Sequence, residues 1–279
     1  MTEAILEAII DSIKILPFLF ITYLLMEYLE HKTSEKTKNI IKKSGRLGPI
    51  IGGLLGAVPQ CGFSVSATNL YAGRVITLGT LIAIYLSTSD EMLPILLSSG
   101  TNWKLILNIL VIKILIGIMV GLVIDFIYRK TKKNEEEHSI HNLCEHEHCH
   151  CEEGIVKSSI KHTVQIFIFI LVVSLILNML LFIIGEERLS NLILNKPILG
   201  PILAGIIGLI PNCASSVILT ELFVSNVIGI GTLIGGLLVN SGLGIIVLFK
   251  VNKNLKENIK IVSILYAIGV IAGIIIELI

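Results

Sequence analysis

Charge is scarce in this 279-residue chain: Asp, Glu, Lys and Arg together make up 15%, against roughly a quarter in soluble domains. The net charge is only +1, which leaves no basic stripe for nucleic acid. Cysteine is present but arranged against a disulfide framework. Cys61 and Cys213 sit inside apolar segments, while Cys144, Cys149 and Cys151 crowd one charged loop, a distribution that reads as thiols or metal ligands. There is no GxxxxGK[ST] run, so the chain has no P-loop with which to use ATP. HExxH is absent, and no Ser–His or Cys–His pairing falls within one segment, which argues against an enzyme. The opening MTEAILEAIIDSIKILPFLF lacks a basic n-region and a small-residue cleavage site, so it is expected to be a retained helix.

What fills the chain is apolar. Hydrophobic residues make up 53% and the mean hydropathy is +0.86, which excludes a water-soluble fold. Ile5–Leu29, Trp103–Tyr128, Thr163–Ile184 and Ile259–Ile279 each supply the roughly 20 residues of helix that cross a bilayer. An all-α polytopic membrane protein is the fold class these runs predict.

An offset of 152 residues lays Leu47–Ser89 onto Leu199–Ser241 without a gap, with 20 of 43 positions identical. Shared apolar composition can match Leu with Ile by chance. It does not align Pro59 with Pro211, Cys61 with Cys213, Ser64 with Ser216, Thr68 with Thr220 and Thr80 with Thr232, so the chain is an internal duplication. Residues 1–128 form the first unit, 129–161 a charged linker and 162–279 the second unit. Transporters are often built from such pairs, with the substrate where the halves meet.

Lysine and arginine in short loops mark the cytoplasmic side. Glu30–Arg46 carries six and its equivalent Gly185–Pro197 two, whereas Ser98–Lys104 carries one and Lys250–Lys256 three. Opposite biases at equivalent loops predict inverted units, hence an odd number of crossings each: five plus five, about ten spans, some discontinuous at Pro59 and Pro211. The rival count of four per unit makes the repeats parallel and leaves the biases unexplained. Both termini are then outside, with Glu30–Arg46, the linker and Lys250–Lys256 cytoplasmic. Leu47–Thr101 must supply three crossings in 55 residues, which requires half-helices or re-entrant segments beside a cavity.

The duplicated VPQCGFSVSATN and IPNCASSVILTE segments carry the candidate chemistry. Pro59 and Pro211 each free a backbone carbonyl. Gln60, Cys61, Ser64, Thr68 and Asn69, with Asn212, Cys213, Ser216, Thr220 and Glu221, offer neutral oxygens, thiols and one carboxylate as substrate ligands. Small residues here also serve close helix packing, and a membrane cysteine is often an inert hydrophobe; recurrence in both units favours a site. Thiolate selects soft ions over Mg²⁺ or Ca²⁺. Glu221, aligned with Asn69, breaks the symmetry and is the preferred carboxylate, against the alternative that it snorkels to an interface. Asp90 and Glu91 line a path or mark a turn. Asp11, Glu27 and His162 are weaker candidates, Asp125 is expected at an interface, and Arg74 is expected to contact lipid head groups.

The linker reads HSIHNLCEHEHCHCEEG and places His138, His141, Cys144, His146, His148, Cys149, His150 and Cys151 within fourteen residues. Imidazole and thiolate suit Zn²⁺, Ni²⁺, Co²⁺ and Cu ions. The spacing is not that of a rigid zinc finger, so a metal-gathering or sensing tail is expected, against a plain solvated linker. No cofactor is implied beyond the cargo ion and a metal held by this linker. The bilayer and the ion are the expected partners.

With the repeated P-[QN]-C segments, the GTLI continuation and the His-rich central loop, the chain resembles the bacterial family of ten-helix heavy-metal exporters, a family labelled as arsenic efflux or manganese transport. That resemblance implies ten spans and metal or metalloid efflux in the plasma membrane. The linker favours a transition-metal cation, since it has no use for arsenic oxyanions. Paired cysteines are softer than Mn²⁺ needs and keep arsenite as the runner-up. A metal-responsive membrane sensor, with the repeats passive, is the third reading.

Overall fold

The computed structural model describes residues 47–57, 61–89, 92–131 and 197–279, with scattered helical positions within 13–24 and 156–176. All regular structure among these residues is helical. Ten helices fall into two matching sets. The first holds α1 (Gly48–Gly56), α2 (Cys61–Ala72), α3 (Leu78–Ser87), α4 (Met92–Ser98) and α5 (Trp103–Thr131). The second holds α6 (Leu199–Gly208), α7 (Cys213–Val224), α8 (Ile230–Val239), α9 (Gly244–Val251) and α10 (Leu255–Leu278). Shifting the first set by 152 reproduces the bounds of α2 and α3 in α7 and α8 without error. The duplication is therefore written into the helix boundaries as well as the residues.

Local chemistry sets those boundaries. Thr77 caps α3 by accepting from the Thr80 N–H at 3.1 Å, and Asn254 caps α10 through Glu257, each satisfying a first-turn donor that the helix itself cannot. α2 and α7 both end on a left-handed residue, Arg74 at φ 59° and Asn226 at φ 58°. The same bonds close both ends: the Arg74 N–H reaches the Tyr71 carbonyl, and the Asn226 N–H reaches the Phe223 carbonyl. Between α6 and α7 lies Pro211, which has no N–H to continue a helix, and the chain is non-helical from Leu209 to Asn212.

Among the described residues, four stretches are long and apolar enough to cross a membrane: Leu78–Ser98, Trp103–Tyr128, Ile230–Val251 and Leu255–Leu278. Two of them agree closely with the spans read from hydropathy. The other two are α3 continued by α4 and α8 continued by α9, each a crossing broken near its middle. Ile5–Leu29 and Thr163–Ile184 lie largely outside the described residues. The chain is thus a multi-pass helical membrane protein.

The sequence calls for half-helices or re-entrant segments within Leu47–Thr101, and the first two helices there are short. α1 has nine residues and α2 twelve, roughly 14 and 18 Å at 1.5 Å per residue, against a hydrocarbon core of about 30 Å. Their neighbours fix their directions. Gly48 lies against Thr80 and Gly56 against Ser87, so α1 runs parallel to α3. α2 then returns, because the tight turn after Ala72 delivers the chain to the start of α3. Leu47–Thr101 thus holds a short returning pair, α1 and α2, followed by the broken stretch of α3 and α4.

Glycine lets the crossings touch. α3 and α5 meet at Gly79 and Gly121, and α8 and α10 at the equivalent Gly231 and Gly273; a methyl group at Gly79 would stand 2.1 Å from the Gly121 carbonyl oxygen. Small residues four apart, Gly117 with Gly121 and Gly269 with Gly273, allow this approach, as is common between membrane helices. α2 packs on α9 and α7 on α4, so each unit's returning helix lies against the second half of the other unit's broken crossing. α3 and α8 also touch, at the centre of the molecule.

Candidate functional site

The two breaks, which open at Thr88–Ser89 in the first unit and span Asn240–Leu243 in the second, leave the helices inside a largely buried core. Around them lies a buried polar belt. Ser64, Thr68, Asn69, Ser87, Thr88 and Ser89 from the first unit are 3% exposed or less, and Asn212, Ser215, Ser216, Thr220, Asn240 and Ser241 from the second 5% or less. Such groups are costly in an apolar interior unless they are bonded or await a ligand.

Most of the belt is bonded. The Ser89 hydroxyl donates to the Ala57 carbonyl at 2.7 Å, tying the first break to the end of α1. Thr68 donates to the Ser64 carbonyl at 2.7 Å and Thr220 to the Ser216 carbonyl at 2.6 Å, the same bond in both units. Thr68 Oγ1 also shares a hydrogen bond with the Tyr85 hydroxyl and lies 3.2 Å from the Gly244 carbonyl. Three helices from two units therefore converge on one hydroxyl. One exception is Ser241 Oγ, fully buried and without a hydrogen-bond partner among the described residues, although its equivalent Ser89 is bonded.

Of the residues expected from sequence, Ser64, Thr68 and Asn69 are gathered on α2, and Asn212, Ser216 and Thr220 on and beside α7. Cys61 and Cys213 open these helices at equivalent positions. Gln60, Asp90, Glu91, Asp11, Glu27, His162 and the linker residues His138 to Cys151 lie outside the described residues. Glu221 is exposed, unlike the buried Asn69 at the equivalent position. Among the described residues no three His, Cys, Asp or Glu side chains cluster as a metal group.

Two charged side chains read as interfacial find partners within the protein. Asp125 is buried, and its carboxylate accepts from the Thr77 hydroxyl at 2.7 Å and the Gly79 N–H at 2.9 Å, because the first turn of α3 presents unpaired donors to it. Arg74 is paired within the protein. Its guanidinium stands 3.6 Å from Glu257 and lies over the Tyr71 ring, whose hydroxyl donates to the same carboxylate.

Sequence reasoning missed Lys113. It is 1% exposed, and its ammonium donates to the carbonyl of Thr88 and, at 2.9 Å, to that of Leu237. Thr88 is the C-cap of α3 and Leu237 lies in the last turn of α8. The signal was available: Lys113 is the lone charge between Lys104 and Asp125 in a 26-residue apolar span, and an intramembrane charge is a functional candidate by default.

The family model described as "Putative, 10TM heavy-metal exporter" matches residues 1–187. The chain belongs to this family. The match takes in the first unit and the His/Cys-rich linker; the second unit's described helices, α6 to α10, follow it. No curated protein and no solved structure matches the chain. A membrane-embedded member of a metal-exporter family would contact lipid and metal ions, and the buried polar belt is where its described residues offer ligand atoms away from lipid.

Proposed function

We propose that the protein is a secondary transporter, not an enzyme, that exports a transition- or heavy-metal cation across the plasma membrane. Its cargo site lies where two inverted units meet. The observation that carries this reading is the duplicated break: in each unit a crossing helix stops beside a short returning helix headed by cysteine and lined with buried hydroxyls and amides. Broken helices of this kind expose carbonyls and helix ends to an ion without placing a full charge in lipid.

Contacts between the units support the inversion. Lys260, near the start of α10, donates to the Tyr128 hydroxyl near the end of α5 at 3.0 Å. Glu257 meets Arg74 at the turn that leads into α3. Glu277, near the end of α10, sits instead at the start of α8. The start of α10 therefore shares a face with the start of α3, and the start of α8 occupies the opposite face. Loop charge agrees, since the lysine-rich Lys250–Lys256 falls on the first face, the cytoplasmic one by the positive-inside tendency.

On this reading Gln60, Cys61, Ser64, Thr68 and Asn69, with Asn212, Cys213, Ser216 and Thr220, surround the cargo, and Glu221 is the carboxylate of the set. The linker gathers metal from the cytoplasm. The two thiols keep arsenite export as the second reading. The test is elemental. Intracellular Mn, Co, Ni, Zn and As are measured by mass spectrometry after single-ion challenge of a metal-sensitive bacterial strain, with wild type against Cys61→Ala/Cys213→Ala and Glu221→Gln. Depletion of one element, lost in the variants, is expected; a membrane-inserted wild type that changes none of the five would overturn the reading. Deleting residues 135–153 separates transporter from sensor: a transporter keeps flux with altered apparent affinity, and a sensor loses function.

A further inference from the structure

Lys113 presents the problem that a buried charge always presents in a membrane protein. A lysine at the centre of a bilayer-spanning helix is costly, and the equivalent position in the second unit is Leu265, fully buried and apolar. Packing alone is therefore satisfied by a hydrocarbon here. The ammonium is instead held on the carbonyls of Thr88 and Leu237. Each belongs to the C-terminal end of a half-helix, the end that carries roughly half a negative charge. In this arrangement a cation belonging to the protein already occupies both carbonyls.

A second observation points to the same place. Ser241, four residues beyond Leu237 at the break of α8 and α9, has a fully buried hydroxyl without a hydrogen-bond partner among the described residues. Ser89, at the equivalent place in the first unit, spends its hydroxyl on Ala57. The second break thus holds a spare oxygen four residues along the chain from the Leu237 carbonyl that Lys113 uses.

Resting on the cation-export reading, we infer that Lys113 is a tethered stand-in for the cargo: a divalent metal cation takes the carbonyls of Thr88 and Leu237 and the Ser241 hydroxyl by displacing the ammonium. The displaced ammonium returns when the metal leaves. Lys113 then sets affinity by competition and drives release by reoccupation. Its removal strengthens apparent binding and slows turnover, the kinetic sign of a lost ground-state competitor.

Full-length protein in proteoliposomes, offered Zn²⁺ and Mn²⁺ separately with internal metal read by mass spectrometry, tests this. Lys113→Gln keeps an N–H donor for the carbonyls and removes the charge; Lys113→Arg keeps the charge. The expected result is a KM at least about fivefold lower in Lys113→Gln with a lower kcat, a gain on the order of 1 kcal/mol, and no fall in KM for Lys113→Arg. A lysine that merely staples α3 to α8 would reduce the folded yield of Lys113→Gln and leave KM where it was, which overturns the inference. If Lys113→Gln does not insert, Lys113→Arg decides, because a lower KM with the charge retained contradicts competition. Wild type that moves neither ion is offered Co²⁺ and Ni²⁺ in turn, and failure with all four removes the cation-export reading and this inference with it. Wild type that moves one, beside an unchanged KM in Lys113→Gln, removes this inference alone.

Discussion

Asp125 and Glu277 stand 152 residues apart and do the same work in the two units. Asp125 accepts the Gly79 N–H at 2.9 Å at the head of α3, and Glu277 accepts the Thr232 N–H at 2.7 Å at the head of α8. Each carboxylate comes from the last long helix of its own unit and closes the positive end of a broken crossing, where a negative charge is favourable. The duplicated helix ends are thus held by duplicated chemistry.

The two carboxylates are not equal. Asp125 also takes the Thr77 hydroxyl and is 7% exposed, whereas the second unit has Gly229 in place of that threonine. Asp125→Ala should cost about 2–3 kcal/mol, since it strands two buried donors, and Glu277→Ala about 1 kcal/mol. Thermal unfolding of the purified variants in detergent gives the ranking, and an equal or reversed loss would show that the caps do not hold these helices.

Glycine positions divide by what an added methyl would meet. At Gly79 it meets the Gly121 backbone at 2.1 Å, while at Gly53 it meets a side chain, Ile118 Cγ1, at 2.6 Å. Gly79→Ala should therefore cost about 3 kcal/mol or more and Gly53→Ala about 1 kcal/mol. Yield of monodisperse protein and its unfolding temperature report the difference; a tolerated Gly79→Ala would mean that α3 and α5 do not touch as described.

Arg74 occupies a left-handed conformation that costs a side-chain-bearing residue about 1–2 kcal/mol, and Asn226 fills the equivalent position with a residue better suited to it. Its pair with Glu257 is 42% exposed on the arginine side and so worth at most about 1 kcal/mol. Arg74→Asn is expected to leave stability within about 1 kcal/mol of wild type. It should also flatten the dependence of the unfolding temperature on salt, a comparison made between low and high NaCl.

The serines at the breaks should separate stability from transport. Ser89→Ala breaks the bond to Ala57 and should lose about 1 kcal/mol. Ser241→Ala removes a buried hydroxyl without a partner among the described residues and should be neutral or slightly stabilising. Under the export reading Ser241→Ala nevertheless weakens cargo affinity, visible as a raised KM in vesicles. A Ser241→Ala protein with wild-type KM would exclude that hydroxyl from the site.

Much of this was legible in the residues. Hydropathy gave the long spans Trp103–Tyr128 and Ile259–Ile279, because lipid exposure demands unbroken apolar runs. The offset of 152 marked the duplicated segments, because Pro, Cys, Ser and Thr do not align by composition alone. The burial of Ser64, Thr68, Ser216 and Thr220 followed from their place in that repeat. The number of crossings within Leu47–Thr101 did not, since a helix that turns back and one that goes through have the same apolar composition.

The sequence by itself determined that the chain is a duplicated, helical membrane protein with small and polar residues at its interruptions, because composition and periodicity are properties of the chain alone. Only the tertiary structure decided that α1 and α2 return, that α2 lies on α9 and α7 on α4, that Asp125 caps α3, and that Lys113 bridges Thr88 and Leu237. Those facts depend on which helix ends meet across the two units, and a partner more than a hundred residues away leaves no local mark on the sequence.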